Sequence, residues 1–105
     1  MTNPVPGGAH STRRVWKYQL DLTARAQSLG MPTDAEVVHV QEQNGLPTLW
    51  VQVNVDEPLV VRTFCIFATG EDIAPAFTRY IGTVHIEWTV WHVYENVRAS
   101  DETRT

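Results

Sequence analysis

The chain has 105 residues; 43% are hydrophobic, 19% are charged and the formal net charge is −4. That length supports one domain able to bury a core without staples. The negative balance excludes a general binder of duplex nucleic acid, which needs a basic face to release counterions, yet leaves room for a small anionic ligand met by two or three local cations. The single cysteine, Cys65, lies in an apolar run and reads as a small buried hydrophobe; no intrachain disulfide can form, which fits a reducing cytoplasm. No apolar run approaches the roughly 18 residues of a membrane helix. The N-terminus lacks the charged, apolar and small-residue order of a signal peptide, so no membrane partner is expected.

Residues 1–12 are rich in Pro, Gly, Thr, Ser and Asn, and residues 97–105 are polar and charged. Both read as flexible tails around a domain at residues 13–96. Residues 15–22 set Val15, Lys17 and Gln19 against Trp16, Tyr18 and Leu20, a strand pattern. Residues 25–29 suit a short strand or a helical turn, stopped by Gly30, Met31 and Pro32. Residues 36–43 read as a strand, and Asn44-Gly45 signals a hairpin turn whose central positions want positive φ. Residues 48–55 alternate cleanly, with Leu49, Val51, Val53 and Val55 on one face and Trp50, Gln52 and Asn54 on the other. After a turn at residues 56–58, residues 59–68 predict a central strand buried on most of both faces. Residues 69–72 form a loop, and residues 73–80 hold one helical turn around Pro75. Residues 81–86 and 90–95 complete the strands, with a tight connection or a bulge at residues 87–89. Six or seven strands with short turns predict an all-β or β-dominated α+β fold: a single small antiparallel-sheet domain with at most one short helix.

Several segments, taken in order, are familiar. They include Val15-Trp16-Lys17-Tyr18, Met31-Pro32-Thr33-Asp34, Gln43-Asn44-Gly45, Leu49-Trp50-Val51, Arg62-Thr63-Phe64, Tyr80-Ile81-Gly82-Thr83 and His92-Val93-Tyr94-Glu95. Together they resemble a widespread family of small phage-encoded β-rich proteins across nearly the whole domain; no single motif is specific. Small phage proteins of this style include anti-CBASS sponges, which bind cyclic dinucleotides and sequester the nucleotide signals of bacterial immunity. Members of the family often carry a glycine-rich turn before the final strand. Here that place holds Glu87-Trp88-Thr89, which implies an altered ligand preference if the turn touches ligand.

A sponge needs flat surfaces for bases and donors for phosphate. Base stacking on an aromatic ring contributes roughly 1–3 kcal/mol. Trp16 and Trp91 sit within terminal strands and read as core or interface residues. Trp50 lies opposite the apolar face of its strand, and Trp88 sits in a turn, so these two are free for a base or for a subunit interface. Arg62 interrupts an apolar strand, and a buried Arg needs a partner: a ligand phosphate, or an acidic residue such as Glu42, Asp56 or Glu87. Arg79 beside Tyr80 and Gly82-Thr83 offers a second cation next to loop amides. Thr69-Gly70 is followed by Glu71 and Asp72, which repel phosphate. Lys17 reads as solvated.

Metal-ligand spacing is absent: His39, His85 and His92 lie in separate predicted strands. Ser11, Ser28 and Ser100 lack a strand-turn-helix elbow, and His92 and Glu95 point to opposite faces. The expected function is therefore a noncatalytic phage anti-defence protein that sequesters a host cyclic nucleotide signal in the bacterial cytoplasm. Its expected ligand contacts are Trp50, Arg62, Arg79, Tyr80, Thr83 and Trp88, with no cofactor and no catalytic residue. Shared pockets at subunit boundaries imply a homo-oligomer, dimer or tetramer. Two alternatives stand beside it: a module binding a host protein through a sheet edge and aromatic patch, and a nucleotide-degrading enzyme using His85, His92 and Glu87.

Overall fold

The computed structural model describes residues 12–74 and 78–99. Seven strands follow one another: β1 (Arg13–Gln19), β2 (Ala26–Pro32), β3 (Glu36–Gln43), β4 (Leu46–Asn54), β5 (Leu59–Ala68), β6 (Thr78–Ile86) and β7 (Thr89–Asn96). They form two antiparallel sheets, one of order β1-β4-β3 and one of order β2-β5-β7-β6. A single helical turn at residues 97–99 follows β7. The fold is all-β, and among the described residues no helix is long and apolar enough to cross a membrane.

Period-two alternation sets which side chains enter the core. Leu49, Val51 and Val53 of β4 are buried and face Phe64 and Ile66 of β5 and Val93 of β7, with Leu20 and Met31 filling in beside them. Trp16 and Trp91 pack against this cluster, as the strand pattern predicts. The β3–β4 hairpin turns on Asn44 (φ 56°) and Gly45 (φ 79°), the pair of positive φ values that matches strand twist.

Two local expectations need correction. Residues 25–29 are neither a helical turn nor a strand ended by glycine. The strand continues through Gly30 and Met31 to Pro32, because Met31 and Pro32 pair with Val60 and Leu59. Proline is tolerated there because β2 is an edge strand and Pro32 is its last residue. The strand expected at residues 81–86 begins earlier, at Thr78, through a register shift between Tyr80 and Gly82; Pro75 lies outside the described residues, as do residues 1–11 and 100–105. Thr12 already belongs to the domain, since Val55 N donates to Thr12 O (2.9 Å).

The sheets converge where β3 crosses β6. A Cβ placed on Gly82 would lie 2.9 Å from both Cβ and Cγ2 of Val40. Only a residue without a Cβ lets the two backbones approach this closely.

Candidate functional site

The most highly organised polar cluster lies between the sheets. Arg62 of β5 and Glu95 of β7 are 3% and 0% exposed. Both face inward because their strand parity places them with Phe64, Ile66 and Val93. Arg62 Nε and Nη2 each donate to a Glu95 carboxylate oxygen at 2.8 Å, and Arg62 Nη1 donates to Ala35 O at 2.5 Å. The guanidinium also lies over the Phe64 ring, 5.7 Å from its centroid. Arg62 is thus one half of a structural ion pair buried at both ends, and its partner is Glu95 rather than Glu42, Asp56 or Glu87. Glu42 instead accepts from Gly45 N (2.7 Å) and Asp56 from Thr12 N (3.1 Å).

Glu95 Oε1 accepts a further bond from Arg79 Nη2 at 2.7 Å, and Arg79 keeps 59% of its side chain exposed. Arg79 sits at the mouth of a cleft of about 480 Å³ whose walls include Asp34, Glu36, Arg62, Tyr80 and Ile81. Asp34, at φ 67°, also borders a neighbouring cleft of about 630 Å³ lined by Arg13, Gln52, Asn54 and Glu57. Gly82 and Thr83 do not form the loop expected from sequence. They pair with Val93 and His92 in the β6–β7 ladder, so they make no anion-binding concavity with Arg79.

Tyr80 and Thr83 lie on the outer face of the four-stranded sheet. Tyr80 is 54% exposed and meets Tyr94 edge-on, with ring centroids 5.5 Å apart. Its hydroxyl bonds to Thr83 Oγ1 (2.5 Å), Thr83 Oγ1 to His92 Nδ1 (3.1 Å), and His92 Nε2 to Thr69 Oγ1 (2.8 Å). Trp50 lies on the outer face of the other sheet, half-buried against His39 at 5.5 Å between ring centroids. Trp88 is 98% exposed at the tip of the β6–β7 hairpin. Burial pushes the Cys65 thiol pKa upward, so Cys65 is an inert core residue.

The six expected contacts therefore fall into separate places. Arg62, Arg79 and Tyr80 gather at one cleft. Thr83 is nearby on the outer face, and Trp50 belongs to the opposite sheet. Strand rise puts Ile86, next to the Trp88 turn, about 23 Å along β6 from Arg79. One copy of the chain cannot close both ends on one small ligand. Sequence reasoning missed Glu95 as the centre of the cluster, and also Asp34, Glu36 and Arg13 as cleft residues. The Arg62 and Glu95 parity within two inward-facing strands was the available signal for Glu95; nothing local marked the others.

A family model described as a domain of unknown function, DUF7352, matches residues 11–104. The chain belongs to that family. The matched span includes all seven strands, both sheets and the Arg62–Glu95–Arg79 cluster. No curated protein and no solved structure matches the chain.

Proposed function

We propose that this protein is a noncatalytic binder that sequesters a nucleotide signal, and that the cleft at Arg79 and Tyr80 is where the ligand is held. The observation that carries the reading is the way Arg79 is presented. Glu95 orients its guanidinium, yet Glu95 already has its charge balanced by Arg62, so Arg79 brings a local positive charge to a cleft that Asp34 and Glu36 also border. Arg79 Nε and Nη1 have no partner among the described residues. Each of these N–H groups can donate singly to a phosphate oxygen.

Tyr80 also borders the cleft, with its ring turned to the outer face of the strand against Tyr94. Asp34 and Glu36 add carboxylates with no protein partner among the described residues, and an ionised carboxylate only accepts. The ligand must bring acceptors to Arg79 and donors to Asp34 and Glu36. A nucleotide brings both, through its phosphates and through its sugar hydroxyls or base amino groups. The resemblance to phage-encoded proteins supports a host cyclic nucleotide as the signal and the cytoplasm of an infected bacterium as the setting.

The test is retention. The purified protein is incubated with a panel of cyclic di- and trinucleotides and cyclic ADP-ribose isomers, freed of unbound ligand, heat-denatured, and the supernatant analysed by mass spectrometry. Intact ligand is expected from the wild type and not from Arg79→Ala, whose melting temperature should stay near that of the wild type. Retention of nothing from the panel overturns the reading, and release of altered ligand makes the protein an enzyme.

A further inference from the structure

The two sheets leave four edge strands, β1, β3, β2 and β6, and three of them are obstructed. β3 and β6 cross so closely that a Cβ on Gly82 would lie 2.9 Å from Val40, which leaves no room there for a strand between them. β2 ends in Pro32, which has no N–H, and its Gly30 carbonyl accepts from the Tyr18 hydroxyl at 3.0 Å. β1 has neither protection.

The β1–β4 ladder shows which backbone groups of β1 face outward. At its two ends Leu20 N donates to Pro47 O (2.8 Å) and Val55 N donates to Thr12 O (2.9 Å). Hydrogen-bonded pairs alternate along an antiparallel ladder. Arg14, Trp16 and Tyr18 therefore bond to β4, while Arg13, Val15, Lys17 and Gln19 turn their N–H and C=O groups away from it. Among the described residues nothing bonds to these outward groups. The side chains give the edge its sign. Three of the eight Lys and Arg residues of the chain, Arg13, Arg14 and Lys17, lie in β1, all exposed, and β1 holds no Asp or Glu. Val15, between Arg13 and Lys17 on the outer face, is 57% exposed.

We infer that the free edge of β1 receives an extended acidic segment of another protein, which joins the three-stranded sheet as an antiparallel strand. Its backbone bonds to Arg13, Val15, Lys17 and Gln19. Its carboxylates lie opposite Arg13, Arg14 and Lys17, and an apolar residue lies opposite Val15. Charge decides against a second copy of β1 as the occupant, because cationic edges side by side repel. The chain as a whole carries a net charge of −4, so attraction for an acidic segment is local to this edge and directs where it lands. The inference goes beyond the nucleotide reading and does not rest on it, since no β1 residue lines the cleft at Arg79.

A capped heptapeptide, one residue for each of the seven in β1, tests it. Its order is threonine, threonine, glutamate, valine, valine, glutamate, glutamate, which sets glutamates opposite Lys17, Arg14 and Arg13 in an antiparallel pairing. Binding to the wild type is followed by fluorescence anisotropy at low salt and by amide hydrogen exchange. The peptide is expected to bind, more weakly as salt rises, and to slow exchange at Arg13, Val15, Lys17 and Gln19 but not at Arg14, Trp16 or Tyr18. Val15→Pro removes an outward N–H where an edge strand tolerates proline, and should abolish binding. Lys17→Glu, at an exposed position, should weaken it about tenfold. Failure of the peptide to bind overturns the inference, as does equal binding of a peptide with lysines in place of the glutamates. Binding without the alternating exchange pattern, or binding that survives both variants, overturns β1 as the receiving edge. Wild-type self-association that Val15→Pro abolishes in sedimentation velocity overturns the acidic partner and gives the edge to a second copy.

Discussion

Arg62 and Glu95 meet between the sheets through two hydrogen bonds of 2.8 Å, with 3% and 0% of their surfaces exposed. Breaking a buried pair costs about 3–5 kcal/mol when one charge is left without compensation, and Arg79, also bonded to Glu95 at 2.7 Å, offsets part of that loss. Arg62→Ala should therefore lower the urea midpoint sharply, by a large part of a small domain's stability, whereas Arg79→Ala leaves the pair intact and should lower it little. Urea melts of both variants check the contrast.

Gly82 faces Val40 at a distance no Cβ tolerates. Gly82→Ala should destabilise by about 1–3 kcal/mol through overpacking. Adding Val40→Ala removes the Val40 Cγ2 contact but keeps its Cβ, also 2.9 Å away, so the double variant should recover only part of the loss. A double-mutant cycle by chemical denaturation measures that coupling.

Glu87 occupies a positive-φ position that glycine adopts without steric cost. Glu87→Gly should raise stability by up to about 1 kcal/mol, since the left-handed conformation costs an L-residue about 1–2 kcal/mol and glycine's extra unfolded-state freedom offsets part of the gain. The expected readout is a small rise in melting temperature with no change in the circular dichroism spectrum.

Glu71 accepts from Ala68 N at 2.6 Å and is paired with Arg25, and these contacts hold its carboxyl below the usual carboxylate range, the backbone bond being the larger cause. Asp21 is lowered likewise by the backbone and side chain of Thr23. Each depressed group contributes stability that is present above its unfolded pKa and is lost as pH falls through its folded pKa. Glu71→Gln should therefore lower stability slightly at neutral pH, and the difference from wild type should vanish in strong acid. Melts across the acid limb, repeated in high salt, check both the sign and the screening expected of an exposed pair.

Cys65 is 3% exposed, and burial raises its thiol pKa. A thiol reagent should modify it at the unfolding-limited rate in buffer and rapidly in denaturant.

Most of the fold was legible along the chain. Alternation in residues 48–55, the Asn44-Gly45 turn and the apolar run at residues 59–68 are local signals, and β4, the β3–β4 hairpin and β5 appear where those signals lie. Residues 25–32 were harder to read, because Gly30 and Pro32 carry breaker propensities that cross-strand pairing with β5 overrides. For the site, sequence singled out Arg62, Arg79 and Tyr80 as residues needing partners or offering contacts. It did not pair Arg62 with Glu95, because the two are 33 positions apart and meet only when β5 and β7 become neighbours.

By itself the sequence determined the all-β class and most of the strands, since period-two patterning and turn chemistry act over a few residues, while residues 25–29 stayed open between strand and helical turn. Only the tertiary structure decided what the polar residues do. Sheet order brings Glu95 between Arg62 and Arg79, gathers Asp34 and Glu36 at the same cleft, and sends Trp88 to the opposite end. The physical reason is that strand parity fixes a side chain's face, whereas its partners depend on which distant strands lie beside it.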